Sequence, residues 1–160
     1  MNYYIDYNKV LHISDTDTIG AGAFRGRTDF SSVVIPDEVK VIGDRAFYGC
    51  DNIEVTIHKD LTYIGDYAFS QCANLKFHHQ SDENDNSALY HIGRGVFEGS
   101  TLSGNLNFTD SSAISIPDCA FSECEGEGFS LYTKGNIEHI GDYAFYYSKI
   151  VRNMSLDRIV

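Results

Sequence analysis

Four cysteines and six histidines are the side chains of this 160-residue chain with the clearest potential for chemistry. The cysteines form no C-x-x-C pair and no zinc pattern with histidine; they are Cys50, Cys72, Cys119 and Cys124. Structural zinc requires four thiolate or imidazole ligands at short, characteristic spacings. An even number of cysteines also permits disulfides. The positions favour free thiols instead, with Cys119 exposed, the most reactive, and lacking a nearby histidine to make it a catalytic nucleophile.

A metal site is the second chemical possibility. His58 and His78 lie on neighbouring predicted strands and could approach each other, but no carboxylate or cysteine completes a ligand set, and His79 falls in an inward register. The acidic segment 82–87 resembles the start of a calcium loop, yet Ser87 and Gly93 stand where an EF-hand needs glycine and glutamate. We therefore expect neither a metal nor another cofactor.

Catalytic motifs form a third class. The chain has no phosphate-binding loop, no G-x-S-x-G elbow and no paired carboxylates in a defined setting. Four aspartates recur at one repeat position: Asp44, Asp66, Asp118 and Asp142. Aspartate accepts backbone N–H bonds at the start of a helical turn. We interpret these residues as caps of single helical turns, and the chain is predicted not to be an enzyme.

The recurrence of these residues comes from a repeat of the whole chain. The motif I-G-x-x-A-F, with one or two substitutions in some copies, occurs six times, at 19–24, 42–47, 64–69, 92–97, 116–121 and 140–145. Its isoleucines are 23, 22, 28, 24 and 24 residues apart, and the longest interval contains the insertion 81–88. Repeats of this length are supersecondary units that bury their apolar stripe only by stacking on their neighbours.

Each repeat position becomes a column in such a stack. The predicted hydrophobic spine is the phenylalanine column, which consists of Phe24, Phe47, Phe69, Phe97, Phe121 and Phe145. Three residues later comes a column of small, weakly polar side chains: Cys50, Cys72, Ser100, Cys124 and Ser148. A thiol that shares a position with serine in a tight turn is expected to be buried and to pack as a small hydrophobe.

Short stretches of alternating apolar and polar residues precede the isoleucine of each later repeat. They are 32–36, 53–57, 75–79, 105–109 and 129–133, and period-2 alternation predicts β-strands. The predicted fold is a repeat solenoid, mainly β: about six coils, each with a short parallel strand and a single helical turn. Residues 1–160 form one domain, with an N-terminal cap (1–18), six repeats (19–148) and a C-terminal partial coil or cap (149–160).

The segment VVIPDEVKVIGDRAFYGC, residues 33–50, resembles the BspA-like class of leucine-rich repeats. The resemblance extends from residue 19 to about residue 150. It implies a short horseshoe or right-handed solenoid, and a function as a surface adhesin or binding module instead of an enzyme.

The candidate binding site is the outward side of the predicted sheet, because side chains alternate across a strand. Its predicted members are Glu54, Thr56, His58, Lys76, His78, Gln80, Asn105, Asn107, Ser130 and Tyr132. They mix hydrogen-bonding groups with an aromatic ring, which favours another protein as the partner; an ordinary solvated sheet face is the alternative interpretation. A second hypothesis for the function is an acidic inhibitor, or nucleic-acid mimic, that occludes a basic partner.

Charge and hydropathy limit the other options. The formal net charge of −11 argues against direct nucleic-acid binding, which requires lysine and arginine to displace counterions. No run of 18 apolar residues is present, so membrane insertion is not expected. A cytoplasmic location is expected if Met1 is the native start, and the cell surface or the exterior if a signal peptide was removed. A monomer is favoured.

Overall fold

The computed structural model describes residues 1–58, 60–79, 89, 91–108, 114–133 and 137–150. These residues form strands joined by turns, and none of them is helical. The longer strands are β1 (Asn2–Ile5), β2 (Val10–Ser14), β4 (Ser32–Val34), β6 (Glu54–Ile57), β8 (Leu75–His79), β10 (Leu102–Phe108) and β12 (Phe129–Thr133). The shorter strands are β3 (Thr18–Ile19), β5 (Val41–Ile42), β7 (Tyr63–Ile64), β9 (His91–Ile92), β11 (Ile114–Ile116) and β13 (Ile137–Ile140).

The longer strands form one sheet in the order β1-β2-β4-β6-β8-β10-β12. Only β1 is antiparallel to its neighbour, and the remaining strands pair in parallel. The register places Leu11, Val33, Val55 and Phe77 side by side, all on the buried side. Each coil therefore adds one parallel strand to the same sheet, next to the strand of the previous coil. The predicted solenoid of short parallel strands is confirmed.

The shorter strands form a second wall of the solenoid. Ile19, Ile42, Ile64 and Ile92 pair in register within the sheet β3-β5-β7-β9. Strands β11 and β13 pair separately and align Ile116 with Ile140. The isoleucine column therefore stacks through backbone hydrogen bonds as well as side-chain contact. Two-residue strands carry no alternation, so the pattern of apolar residues did not predict this sheet.

The segment from the repeated glycine to the Cys or Ser position, called the turn segment below, corrects one prediction. It is a run of hydrogen-bonded turns, so the predicted single helical turn is wrong. The N–H of Ala46 donates to Gly43 in its own turn, but the next N–H, of Phe47, donates to Ala68 in the following coil. A positive φ of 55° at Arg45 takes the backbone out of the helical region. Alternate N–H groups therefore bond along the stack.

The phenylalanine column is the continuous spine that the repeat predicts. Consecutive rings lie 5.2–6.1 Å apart between centroids, most of them nearly parallel. The five rings from Phe24 to Phe121 are fully buried, and Phe145 at the end is partly buried. Offset aromatic stacking adds to the hydrophobic gain from burial. Each ring thus depends on the coils on both sides of it.

The Cys and Ser column closes the turn segment through hydrogen bonds to the previous coil. The thiols of Cys50, Cys72 and Cys124 donate to the carbonyls of Phe24, Phe47 and Phe97, at 3.0, 3.2 and 2.9 Å. The Ser100 hydroxyl makes the equivalent bond to Phe69 at 2.7 Å. The predicted burial of these thiols is confirmed. Their shared donor role explains why Cys and Ser are interchangeable in this column.

The first coil begins with the hairpin of β1 and β2. Strand β2 pairs in parallel with β4, so residues 10–14 are the first long strand of the stack. Strand β1 pairs antiparallel on its outer side, and the Tyr3 ring meets Phe24 edge-on at 5.2 Å. Strand β1 therefore covers the outer backbone N–H and C=O groups of β2, at the N-terminal edge of the parallel stack, and Tyr3 covers the first ring of the spine.

Strand β10 contains a glycine, Gly104, where it packs closely against β8. Gly104 lies between Phe77 and Phe129 in register and has φ of 80°. A Cβ atom there would collide with the carbonyl oxygen of Phe77. Only glycine both tolerates this conformation and lets β8 and β10 stay paired.

Candidate functional site

The outer side of the long sheet, called the sheet face below, is continuous from β1 across the later strands. Backbone pairing aligns Tyr4, His12, Val34, Thr56 and His78 in a single row, called the central row. Tyr4 is 63% exposed and Val34 is 47% exposed, and the other three are half-buried. Aromatic and aliphatic groups exposed on a polar surface gain the most free energy when a partner covers them.

The N-terminal end of the central row is held rigidly. The His12 ring stacks on Tyr4 with a centroid separation of 4.6 Å, and its Nε2 lies 3.0 Å from a carboxylate oxygen of Asp6. This hydrogen bond, together with the backbone N–H of Val10, holds the pKa of Asp6 below its usual value. A side chain that is fixed before binding loses little conformational entropy when a partner arrives.

A charged row runs beside the central row. Glu54 reaches two residues of the next strand, with Lys76 Nζ at 3.5 Å and His78 Nε2 at 3.3 Å. All three side chains are more than a third exposed. An exposed ion pair such as that of Glu54 and Lys76 contributes little to folding, so a partner could replace it without destabilising the scaffold.

The predicted site residues divide into three groups. Six lie on the sheet face with exposed or half-buried side chains: Glu54, Thr56, Lys76, His78, Asn105 and Ser130. Gln80 and the side chains of Asn107 and Tyr132 lie outside the part of the chain that the structure describes.

His58 is the third group and a correction. It is only 3% exposed, so the prediction that it lies on the outward face is wrong. Strand β6 ends at Ile57, and the alternation of side chains ends with it. The chain then turns, and the Nδ1 of His58 accepts a hydrogen bond from the N–H of Asp60 at 3.1 Å. His58 therefore holds the corner after β6.

Tyr4, His12 and Val34 were absent from the predicted site. The signal was available: the stretch VLHIS, residues 10–14, alternates in the same way as the later strands. Leu11 precedes Val33 by one repeat length and pairs with it. Treating residues 1–18 as a covering segment concealed the first long strand and the two face residues next to it.

The repeated aspartates accept backbone N–H bonds, but from a different partner than predicted. The Oδ1 of Asp44 accepts from the N–H of Asp66 at 2.9 Å, and that of Asp66 accepts from Arg94 at 2.8 Å. Asp118 binds Asp142 in the same way at 2.8 Å. Each of these three carboxylates therefore bonds the same position of the next coil and caps no helical turn. They join neighbouring coils.

The four cysteines are free thiols. Burial raises the pKa of Cys72 and of Cys124 to about 12, and it raises the pKa of Cys50 as well. Cys119 is half-buried, and its sulfur lies 3.9 Å from the carbonyl of Asp142. Because a thiolate is the reactive form, three thiols are protected by their surroundings and Cys119 is the most accessible.

The histidines and acidic groups do not come together as a metal site in the part of the chain that the structure describes. Within the described ranges, no group of three or more His, Cys, Asp or Glu side chains could hold a metal ion. His58 is turned inward at its corner and His78 contacts Glu54, so the two histidines do not form the pair that the sequence permitted.

An acidic groove lies where the first coils turn from the long sheet toward the shorter strands. It is an open depression of about 820 Å³ lined by Ile13, Ser14, Asp15, Thr16, Asp17 and Glu38. Three carboxylates at one edge produce a local negative potential that attracts basic groups. The acidic groove is therefore a second surface to consider for binding.

Comparison with known protein families gives a match along most of the chain. A family model described as the BspA type leucine rich repeat region matches residues 3–124 and 84–159, with six copies. No curated protein and no solved structure matches the chain. No helix in the described part of the chain is long and apolar enough to cross a bilayer.

Proposed function

The chain belongs to the BspA-type leucine-rich repeat family, and from this premise we propose that it is a non-enzymatic module that binds another protein on its sheet face. The central row carries the proposal. Its exposed Val34 lies on a strand that is hydrogen-bonded on both sides, and its exposed Tyr4 lies on the edge strand β1; both are next to groups that can donate and accept.

The shape of the sheet face suits a protein better than a small molecule. Strands spaced about 4.8 Å apart make the central row roughly 19 Å long from β1 to β8. A typical interface buries about 800 Å² on each partner, so a protein partner would cover the central row, the flanking charged row and the surface next to them. A small ligand, in contrast, is usually held in a deep cleft. Adhesion to a component of another cell's surface is a more specific form of the same proposal.

The proposal is tested by site-specific photocrosslinking. A photoreactive amino acid is placed at Val34 in the central row and, as a control, at the exposed Glu138 outside the long sheet. A partner protein captured from Val34 and not from Glu138 supports the sheet face. The partner is then titrated by calorimetry against wild type and a Val34→Arg/Thr56→Arg variant.

We expect the double variant to weaken binding by about 100-fold or more, because charged bulk at the centre of an interface is poorly tolerated. Capture only from Glu138, or unchanged affinity of the double variant, would show that the binding surface lies elsewhere.

A second candidate function is an acidic inhibitor that occludes a basic partner. The acidic groove favours it, since Asp15, Asp17 and Glu38 converge there in a chain of net charge −11. The discriminating measurement is salt dependence. Binding through this groove should fall steeply between 50 and 300 mM salt and be lost in Asp17→Asn/Glu38→Gln, because exposed charge attraction is screened. Sheet-face binding should change little under either treatment.

A further inference from the structure

A groove on the outside of the turn segments concentrates positive charge. The guanidinium of Arg25 lies over the Tyr48 ring, 5.0 Å from its centroid, and that of Arg45 lies over the Tyr67 ring at 4.9 Å. In each pair the tyrosine belongs to the coil after that of the arginine. Stacking on a ring restrains the arginine while its N–H groups stay free to bind a ligand.

These two arginines have no acidic partner. Neither makes an ion pair with a carboxylate in the described ranges, whereas the nearby Arg27 is held by Asp29 at 2.6 Å. A guanidinium stays charged at any physiological pH. Arg25 and Arg45 line the same groove in a chain that carries 23 acidic residues against 12 basic ones.

The groove is elongated across the stack. It has a volume of about 230 Å³ and is lined by Arg25, Arg45, Tyr48, Tyr67, Ser70, Gln71 and Glu98. These residues span four coils, which corresponds to roughly 14 Å, or about four residues of extended peptide. Gly95 leaves the edge of the Tyr67 ring open, because a Cβ atom at that position would collide with it.

The ends of the groove differ in charge. The two arginines occupy the first coils, and the carboxylate of Glu98 lies at the far end, on the fourth. An acidic ligand is attracted to the first end and repelled from the second, which orients it along the stack. Arginine pairs are well suited to carboxylates because their planar donors bind two oxygens at once.

We propose that this groove binds an extended acidic segment of a partner protein, with carboxylates on Arg25 and Arg45 and the peptide lying across Tyr48 and Tyr67. A peptide is favoured over a nucleic acid because a continuous phosphate backbone along the groove would place further negative charge against Glu98, whereas a peptide can carry carboxylates only where they meet Arg25 and Arg45. The groove lies on a different surface from the sheet face, so it stands or falls independently of the proposed function.

The test is fluorescence anisotropy with a defined probe. The probe is a capped, fluorescein-labelled peptide of five residues with glutamate at its first and third positions and serine elsewhere, because residues two apart in an extended chain lie on the same side. A matched probe has glutamines instead of glutamates. At low salt, wild type should bind the glutamate probe about tenfold more tightly than the glutamine probe. Arg25→Gln/Arg45→Gln should lower the affinity for the glutamate probe to that for the glutamine probe. Circular dichroism confirms that each variant is folded.

Two controls separate the outcomes. Lys9→Gln/Lys40→Gln removes the same charge from exposed positions outside the groove and should keep the affinity within about twofold. If both double variants weaken binding of the glutamate probe equally, the effect comes from overall charge and the proposal is wrong. The proposal is also wrong if wild type binds the glutamate and glutamine probes with equal affinity. A short oligothymidylate that displaces the probe better than unlabelled acidic peptide would assign the groove to nucleic acid and overturn the peptide.

Discussion

The inner columns and the sheet face follow opposite rules along the same coils. In the spine, phenylalanine stacks on phenylalanine in every coil, and the carbonyls of most of these residues accept a thiol or hydroxyl from the next coil. In the central row of the sheet face, tyrosine is followed by histidine, valine, threonine and histidine.

The difference has a physical cause. An inner side chain meets its own equivalent above and below, so one residue type solves the same packing problem in every coil. A face side chain meets mainly water, so its identity is free to vary. Residues that repeat therefore hold the backbone, and residues that differ between coils are available for recognition. Four measurements test this distinction between repeating and varying positions.

The largest contrast should be in thiol reactivity. With a pKa of about 12, only about one part in ten thousand of Cys72 or Cys124 is thiolate at pH 8. We expect maleimide to label the half-buried Cys119 at least about 1,000-fold faster than these inner thiols, measured by mass spectrometry over time. The Cys119→Ser variant should show no fast phase. Rapid labelling of Cys72 in the native protein would mean that the inner columns open readily.

Loss of a spine ring should have the next largest effect. Phe69→Ala removes a fully buried ring that stacks on two neighbours, and we expect the free energy of unfolding to fall by about 3–5 kcal/mol in urea titrations. The matched control is Tyr147→Ala, which removes a ring that is 75% exposed and should change stability by less than about 0.5 kcal/mol. Similar losses for both would contradict the distinction between inner and outer aromatics.

The hydrogen bonds of the Cys and Ser column should rank third. The Ser100 hydroxyl donates to Phe69 and accepts from the N–H of Cys72 at 2.9 Å, so Ser100→Ala leaves two buried backbone groups unpaired. We expect a loss of about 1–3 kcal/mol. Ser148→Ala is the control at the same repeat position, because the Ser148 hydroxyl has no hydrogen-bond partner among the described residues. An equally large loss there would show that volume, and not hydrogen bonding, determines the column.

The smallest change in stability should come from the sheet face. Thr56→Ala/His78→Ala removes only half-buried groups and should leave the free energy of unfolding within about 0.5 kcal/mol of wild type. The same variant should weaken binding of any partner captured at Val34. A loss above about 2 kcal/mol would mean that the face residues are part of the scaffold.

The repeat predicted the parts of the fold that depend on residues within one coil. Alternation located the long strands from β4 to β12 but not β1 and β2, and the phenylalanine spacing located the spine. The helical turn was wrong because Arg45, Tyr67 and Tyr143 adopt positive φ, with values of 55–59°, although none of them is glycine. That conformation is stabilised by hydrogen bonds to the next coil, which no pattern within a single repeat reveals.

The candidate site was harder to predict than the fold for the same reason. A side chain such as Asp66 bonds the backbone of the next coil, so its role depends on stacking and not on its sequence neighbours. His58 fits the alternating pattern of β6 in the sequence, but the strand ends one residue earlier, at Ile57. The paired Arg25 and Tyr48 become neighbours only through the stack. Contacts between coils, which define both surfaces, appear only when the register is known.

The ladder of aspartates from one coil to the next has a consequence for the size of the molecule. Asp44 and Asp66 are 22 residues apart, and each occupies the same position in its own coil. Removing residues 43–64 would join Ile42 directly to Gly65. The new junction would again be the Ile-Gly step of a single repeat, so one whole coil would be lost and the register of the other coils would be kept. The chain should close again as a protein one coil shorter, with its outer surface shortened by about 4.8 Å. Gene duplication or deletion of one repeat could therefore lengthen or shorten this molecule by one coil at a time.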